Sequence, residues 1–286
     1  MIRKVAILAN GGDVSGFNAV IRAIVKTAEN NGIDCYGFID GYNGLLKNNY
    51  EKLSTANDEH ASGILQKGGS IIGSSTNANV FHYKVEENGE TVYKDLSDVC
   101  VENIKKDGFD CLFTLGGDGT QKSARDFATK GVNVIGVPKT IDNDLVGIDH
   151  SPGFGSAAKY IALAVKNVAY DTSIYSIKSV HIIEAMGRNA GWLTAASALA
   201  RDGDSVAPHL IYLPETPFSY DKFVSDILEV KKHKSSAIIA LSEGIRNADG
   251  QYICETQKDD MKLDVFGHKM LGETALFLSD MVGKDT

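Results

Sequence analysis

The stretch Pro138-Lys139-Thr140-Ile141-Asp142-Asn143-Asp144, preceded by Gly116-Gly117-Asp118-Gly119-Thr120, constrains the chain more than any other feature. Each follows an apolar run that reads as a buried strand, residues 111–115 before the first loop and 132–137 before the second. Acidic residues and glycines at the carboxyl ends of neighbouring parallel strands mark where open α/β sheets place their ligands. One loop offers flexible backbone and a carboxylate. The other offers two carboxylates, a lysine and a threonine hydroxyl. Together they suggest phosphoryl transfer to a hydroxyl.

The same punctuation recurs along the chain. Residues 4–9 read as a first buried strand, Asn10-Gly11-Gly12-Asp13-Val14-Ser15-Gly16-Phe17-Asn18 as a turn-rich loop, and 19–30 as a helix closed by Gly32. Strand, glycine-rich loop and helix N-terminus form a natural anion site. Alone, the loop is equally a tight strand-to-helix turn, and it is neither G-x-G-x-x-G nor a Walker A loop. Further strands are expected at 34–39, 179–184, 209–213 and 237–241, and helices at 96–106, 120–130, 157–170, 192–200 and 267–282. Residues 40–44 read as a polar turn, 67–77 as a small-residue loop and 82–95 as an exposed excursion. This alternation predicts a doubly wound α/β protein, with a domain junction near residues 152–155.

Composition narrows the function. A formal charge of −8 argues against a nucleic-acid partner. No window approaches the apolar length of a membrane span, and the N-terminus lacks the pattern of a signal peptide. A cytoplasmic protein is the expectation. Cys35, Cys100, Cys111 and Cys254 are scattered without a C-x-x-C, as buried free thiols would be.

Phosphoryl transfer asks for a phosphate cradle, Mg2+ and an oriented nucleophile. Mg2+ is content with one or two carboxylates plus phosphate oxygens and waters, which suits Asp118 between its glycines. Asp142, two residues from Asp144, is placed to accept a hydroxyl proton, while Thr140 and Lys139 can bond a phosphate. The plainer alternative is an Asp-Asn-Asp turn cap. Met186-Gly187-Arg188 offers backbone and a guanidinium to a phosphate monoester, or is an arginine at a solvated helix start. Glu243 either binds sugar hydroxyls or caps a helix. His181 reads as a core histidine, and Lys231-Lys232-His233-Lys234 as a solvated basic face.

These residues resemble the 6-phosphofructokinase family. Gly11-Gly12-Asp13 with Gly16-Phe17-Asn18-Ala19-Val20-Ile21-Arg22, then Gly116 to Thr120, Pro138 to Asp144 and Met186-Gly187-Arg188, are similar to its motifs in its order. The glycine-aspartate signal is shared with NAD and lipid kinases, whereas Thr-Ile-Asp-Asn-Asp with Met-Gly-Arg is highly specific. The resemblance implies two Rossmann-like domains, 1–150 binding the phosphoryl donor and 151–286 binding fructose 6-phosphate, with the active site in the cleft between them. It implies phosphoryl transfer to the 1-hydroxyl of fructose 6-phosphate, in glycolysis, by a homodimer or homotetramer with shared active sites. Asp142 would be the general base and Asp118 the Mg2+ residue. Gly12, Gly117, Asp118, Gly119 and Thr120 would hold the donor. Thr140, Ile141, Asp142, Met186, Gly187, Arg188 and Glu243 would hold the sugar phosphate, Thr140 and Arg188 also serving catalysis.

Two positions speak to the donor. Within the family Gly119 goes with ATP, because an aspartate there would crowd and repel the α-phosphate, whereas Lys139 is common in pyrophosphate enzymes. ATP is the expected donor, and pyrophosphate (PPi) the alternative. Three departures stand beside the resemblance. Thr76 takes the place of an arginine that bridges the two phosphates, and Ser179, beside Lys178, the place of one that reaches a neighbouring subunit. The family's last sugar-phosphate arginines and histidine would fall past Thr286, which implies a C-terminally truncated second domain. A truncated, inactive nucleotide-binding relative is therefore the expectation of another class.

Overall fold

In the computed structural model, which describes residues 1–56, 61–76, 78–87, 89–257 and 271–285, β1 (Lys4–Asn10) is the centre of a five-stranded sheet. Its neighbours are β2 (Asp34–Phe38) on one side and β6 (Cys111–Gly116) on the other, both parallel to it. β3 (Tyr50–Leu53) closes one edge antiparallel, and β7 (Val134–Pro138) forms the other edge parallel to β6. The order β3-β2-β1-β6-β7 reverses direction between β1 and β6, the switch point where such sheets open a crevice beyond their carboxyl ends.

β1 is central because it is apolar on both faces, as a parallel strand covered on two sides must be. Ala6 and Leu8 pack with Phe38, with Tyr42 and Leu45 of α2 (Gly41–Lys47), with Cys100 and Ile104 of α3 (Ser97–Lys106), and with Phe127 of α4 (Asp118–Thr129). On the other face Val5, Cys111 and Phe113 meet Ala23, Ile24 and Ala28 of α1 (Phe17–Asn30) around an apolar cavity of about 330 Å3. Burying one side chain of the size of Phe38 or Phe127 contributes about 1.5–3 kcal/mol. The expected exposed excursion is a hairpin, β4 (Tyr83–Glu87) and β5 (Glu90–Lys94).

The chain divides into two compact units, Met1–Thr140 with Ser151–Gly153, and Ile141–His150 with Phe154–Thr286. The second unit begins its regular structure with α5 (Phe154–Ser173) and β8 (Ser179–Ala185). α6 (Trp192–Ala196) follows and tightens into a 3-10 turn at Ser197–Ala200. Next come β9 (Leu210–Tyr212), α7 (Tyr220–His233), β10 (Ser236–Ser242) and α8 (Thr274–Asp285). β10 lies between β8 and β9, parallel to both, and all seven of its residues are buried. One face packs Ala237, Ile239 and Leu241 against Phe223, Ile227, Leu278 and Val282, the other packs Ile238 against Val165 and Ala169.

Several expectations are corrected. Residues 40–44 are a turn only at Asp40, which takes a left-handed conformation (φ 66°), and helix α2 starts behind it. Burial of Tyr42 and Leu45 against the sheet overrides the poor helix propensity of Gly-Tyr-Asn-Gly. Strand β3 and helix α7 have no counterpart among the elements expected from sequence. α4 begins at Asp118 rather than residue 120, and residues 192–200 are a short helix plus a 3-10 turn rather than one helix. The expected helix 267–282 starts among residues 258–270, outside the described residues, and within them begins at Thr274. Asn77, in the expected small-residue loop, also lies outside them.

The plainer readings also have an outcome. All four cysteines are buried and free. His181 is half-buried, its Nε2 3.3 Å from Thr172 Oγ1 and 3.2 Å from Ser179 Oγ. Lys232 closes the exposed end of α7 in an ion pair with Glu229. No described helix is long and apolar enough to cross a membrane.

Candidate active site

Three strand ends of the first unit lie in register: Asn10 pairs with Gly116, and Gly116 with Pro138. The loops that follow them therefore leave one edge of the sheet side by side. Gly11 is left-handed (φ 91°), and its N–H donates to the Ser75 carbonyl oxygen at 2.8 Å while its own carbonyl accepts from Ser74 Oγ at 2.7 Å. The loop carrying the expected small residues is thus tied to the glycine turn, with Thr76 exposed next to the tie. Gly12 is exposed, and a Cβ added there would meet no described atom within 4 Å.

Beyond β6, Gly117 is extended and α4 begins at once, so Asp118, Gly119 and Thr120 form its first turn. Free N–H groups and the helix dipole there favour a phosphate or carboxylate. Thr120 is buried, with Oγ1 donating to the Asn10 carbonyl at 3.3 Å. Asp118 is exposed and paired with Lys122 at 2.6 Å. No group of three metal-ligating side chains occurs among the described residues. The donor set still fits Mg2+, which takes few protein ligands and completes its shell with phosphate oxygens and water.

Beyond β7, the Lys139 backbone N–H donates to the Gly116 carbonyl at 3.0 Å, and its Nζ donates to the Gly12 carbonyl at 2.5 Å, 5.1 Å from the Phe17 ring. Lys139 joins all three loops. The Thr140 N–H donates to Ser151 Oγ at 2.9 Å, and Thr140 pairs with Gly153. Local patterning does not reveal Ser151, because its contact depends on a return of the chain.

In the second unit, Asp142 is half-buried and Asp144 exposed, with Asn143 left-handed between them (φ 56°) and its Nδ2 on the Asp149 carbonyl at 2.9 Å. The alternative of a capped turn is thus present in the geometry through Asn143, which leaves both aspartates out of that cap bond.

Ala185 and Ser242 are paired at the ends of β8 and β10, and the loops beyond them are stitched together. Gly187 N–H donates to Glu243 Oε1 at 3.2 Å, Ser242 Oγ donates to the Gly187 carbonyl at 2.7 Å, and Glu243 N–H to the Ala185 carbonyl at 2.9 Å. A Cβ on Gly244 would lie 2.0 Å from the Arg188 carbonyl oxygen, so only glycine lets the loops approach this closely. Met186 is exposed and Arg188 half-buried. Behind the loop, the Glu184 carboxylate accepts from Ala275 N–H at 2.8 Å at the start of α8. Burial pushes its pKa up, and the nearby Glu243 adds to this. Ser179, at the start of β8, donates to Ser236 Oγ at 3.1 Å.

Glycine turns and a helix N-terminus at a switch point define an α/β phosphate-handling protein. The sequence model described as Phosphofructokinase matches residues 4–284, and the chain belongs to the phosphofructokinase family. It is 45% identical over 262 residues to a Clostridium perfringens protein named ATP-dependent 6-phosphofructokinase 2, covering 91% of this chain and 69% of that one. It is 37% identical over 258 residues to the Bacteroides thetaiotaomicron ATP-dependent 6-phosphofructokinase 3, covering 88% of this chain and 72% of the relative. A solved pyrophosphate-dependent phosphofructokinase from Marinobacter aquaeolei superposes with a TM-score of 0.74 at 26% identity, over 99% of this chain and 65% of that chain, slightly under two thirds of its length.

Proposed function

We propose that this chain transfers the terminal phosphoryl group of ATP to the 1-hydroxyl of fructose 6-phosphate, giving fructose 1,6-bisphosphate and ADP in glycolysis. The observation that carries this reading is the register of Asn10, Gly116 and Pro138, which sends the Gly11-Gly12 turn, the first turn of α4 and the Lys139-Thr140 segment out from one sheet edge. Asp142 follows Thr140 by two residues.

Gly12, in the turn after β1, and Gly117, Gly119 and Thr120, at the start of α4, would cradle the donor phosphates through backbone N–H groups. Asp118 would hold Mg2+, which when bound neutralises charge on those phosphates. Met186, Gly187, Arg188 and Glu243 would hold the sugar phosphate, with Arg188 as the charged partner, alongside Thr140 and Ile141. The Asp142 carboxylate takes the proton of the 1-hydroxyl as that oxygen bonds to the γ-phosphorus. The bond from phosphorus to the β–γ bridging oxygen breaks, and ADP leaves. The proposed assembly is a homodimer or homotetramer with shared active sites, and the proposed location is the cytoplasm.

ATP is supported by the two relatives named ATP-dependent and by Gly119, which sets no carboxylate against an α-phosphate. Pyrophosphate is the second reading, favoured by Lys139 and by the likeness to the Marinobacter enzyme. Initial rates with each donor at saturating fructose 6-phosphate and Mg2+ separate the two. Faster turnover with ATP is expected. Faster turnover with pyrophosphate overturns the donor, and no fructose 1,6-bisphosphate with either overturns the reaction and leaves an inactive nucleotide-binding relative.

A further inference from the structure

We infer that Arg246 is a positioning residue for the loop carrying Met186, Gly187 and Arg188, and that it acts through Asn189. The inference rests on the reading of that loop as the acceptor site. The stitches between the β8 and β10 loops, at Gly187, Ser242 and Glu243, all lie on the near side of Arg188. Beyond Arg188 the two loops are linked by side chains: Arg246 Nη2 donates to Asn189 Oδ1 at 2.7 Å, and Tyr252 Oη donates to the same oxygen over a longer 3.4 Å.

That guanidinium is itself held in place. It stacks over the Tyr252 ring, 4.2 Å from the centroid, and Nη2 also meets Tyr252 Oη at 2.6 Å. Tyr252 is fixed in turn, because it forms an antiparallel bridge with Arg246. A planar guanidinium stacked on an aromatic face loses little further freedom when it makes an additional bond, so the fork presents Nη2 to Asn189 from a set position. Asn189 is exposed, and Met186 three residues earlier is 56% exposed, so core packing holds neither side chain, although Gly187 between them is buried. An exposed bond of this kind adds little to folding stability. Its effect falls on where Arg188 stands, and it brings a second cation to a loop proposed to meet a phosphate dianion.

The test compares Arg246→Ala, Arg246→Lys, Asn189→Ala and the Ala/Ala double variant with the unaltered chain. Arg246→Ala is expected to raise KM for fructose 6-phosphate roughly tenfold, the size of one lost charge-assisted bond, while KM for ATP and the thermal midpoint hold. Asn189→Ala gives the same pattern, at least as strong because it also loses the Tyr252 bond, and the double variant is no worse than Asn189→Ala, because that substitution already removes the Arg246 contact. Arg246→Lys, which keeps the cation without the planar stack, falls in between. Additive effects, an equal rise in both KM values, or an unshifted KM for fructose 6-phosphate would overturn the inference. Calorimetric titration with fructose 6-phosphate needs no turnover. A binding shift in variants of a chain that makes no product sinks the proposed reaction and keeps this assignment, and normal turnover with unshifted binding does the reverse.

Discussion

The Lys139 ammonium donates to the Gly12 carbonyl oxygen at 2.5 Å across 127 residues of sequence, so the residue on which the choice of donor turns also holds the loop proposed to cradle it. The contact is exposed, and its loss is expected to leave the thermal midpoint nearly unchanged. Lys139→Gly is expected to keep ATP-driven turnover within about tenfold and to remove any turnover with pyrophosphate, whose compact charge needs the cation more. Gly119→Asp is expected to reduce kcat/KM for ATP at least about a hundredfold by like-charge repulsion, without unfolding the chain. Initial rates with the two donors check both.

Gly244→Ala tests the close approach of the two loops proposed to hold the acceptor. The added Cβ would stand 2.0 Å from the Arg188 carbonyl oxygen, so one loop must move. The expected cost is about 1–3 kcal/mol in thermal or urea unfolding, with weaker fructose 6-phosphate binding. Unchanged stability and binding together would show that the loops separate freely.

The parts of this protein that sequence reveals are those whose signal is local. Apolar runs ending in Gly116 and in Pro138 identify buried strands, and their glycines and carboxylates identify the sheet edge that matters. Helix α2 is hidden because Gly41, Asn43 and Gly44 disfavour helix, and only the tertiary burial of Tyr42 and Leu45 supplies the reason for it. Ser151 and Arg246 are hidden for another reason. Their partners, Thr140 and Asn189, are 11 and 57 residues away, and no periodicity connects them. The resemblance to a family supplies roles for residues that were singled out, not for those that position them.

His209 gives the fold a pH dependence. Its Nδ1 accepts the Ile238 N–H at 2.9 Å, which joins the segment before β9 to β10 and requires the neutral ring. Burial pulls its pKa down, and Lys234 and Arg201 pull in the same direction. The unfolded chain therefore takes up this proton first. The contribution is fully present above the unfolded value of about 6.5 and is lost as pH falls through the lower folded value. The thermal midpoint is expected to drop between about pH 7 and about pH 5. His209→Asn, which offers an acceptor that does not titrate there, should flatten that slope, and equal slopes in the two proteins would count against it.

Asp142 carries the central claim, and Asp142→Asn is the sharpest test because it keeps the shape of the side chain and removes its basicity. The measurement is formation of fructose 1,6-bisphosphate from fructose 6-phosphate, ATP and Mg2+ by the two proteins, alongside their fructose 6-phosphate affinities. The expected result is a kcat lower by about 10²–10⁴ with substrate binding retained. Equal kcat in the two proteins would contradict the assignment of Asp142 as the base.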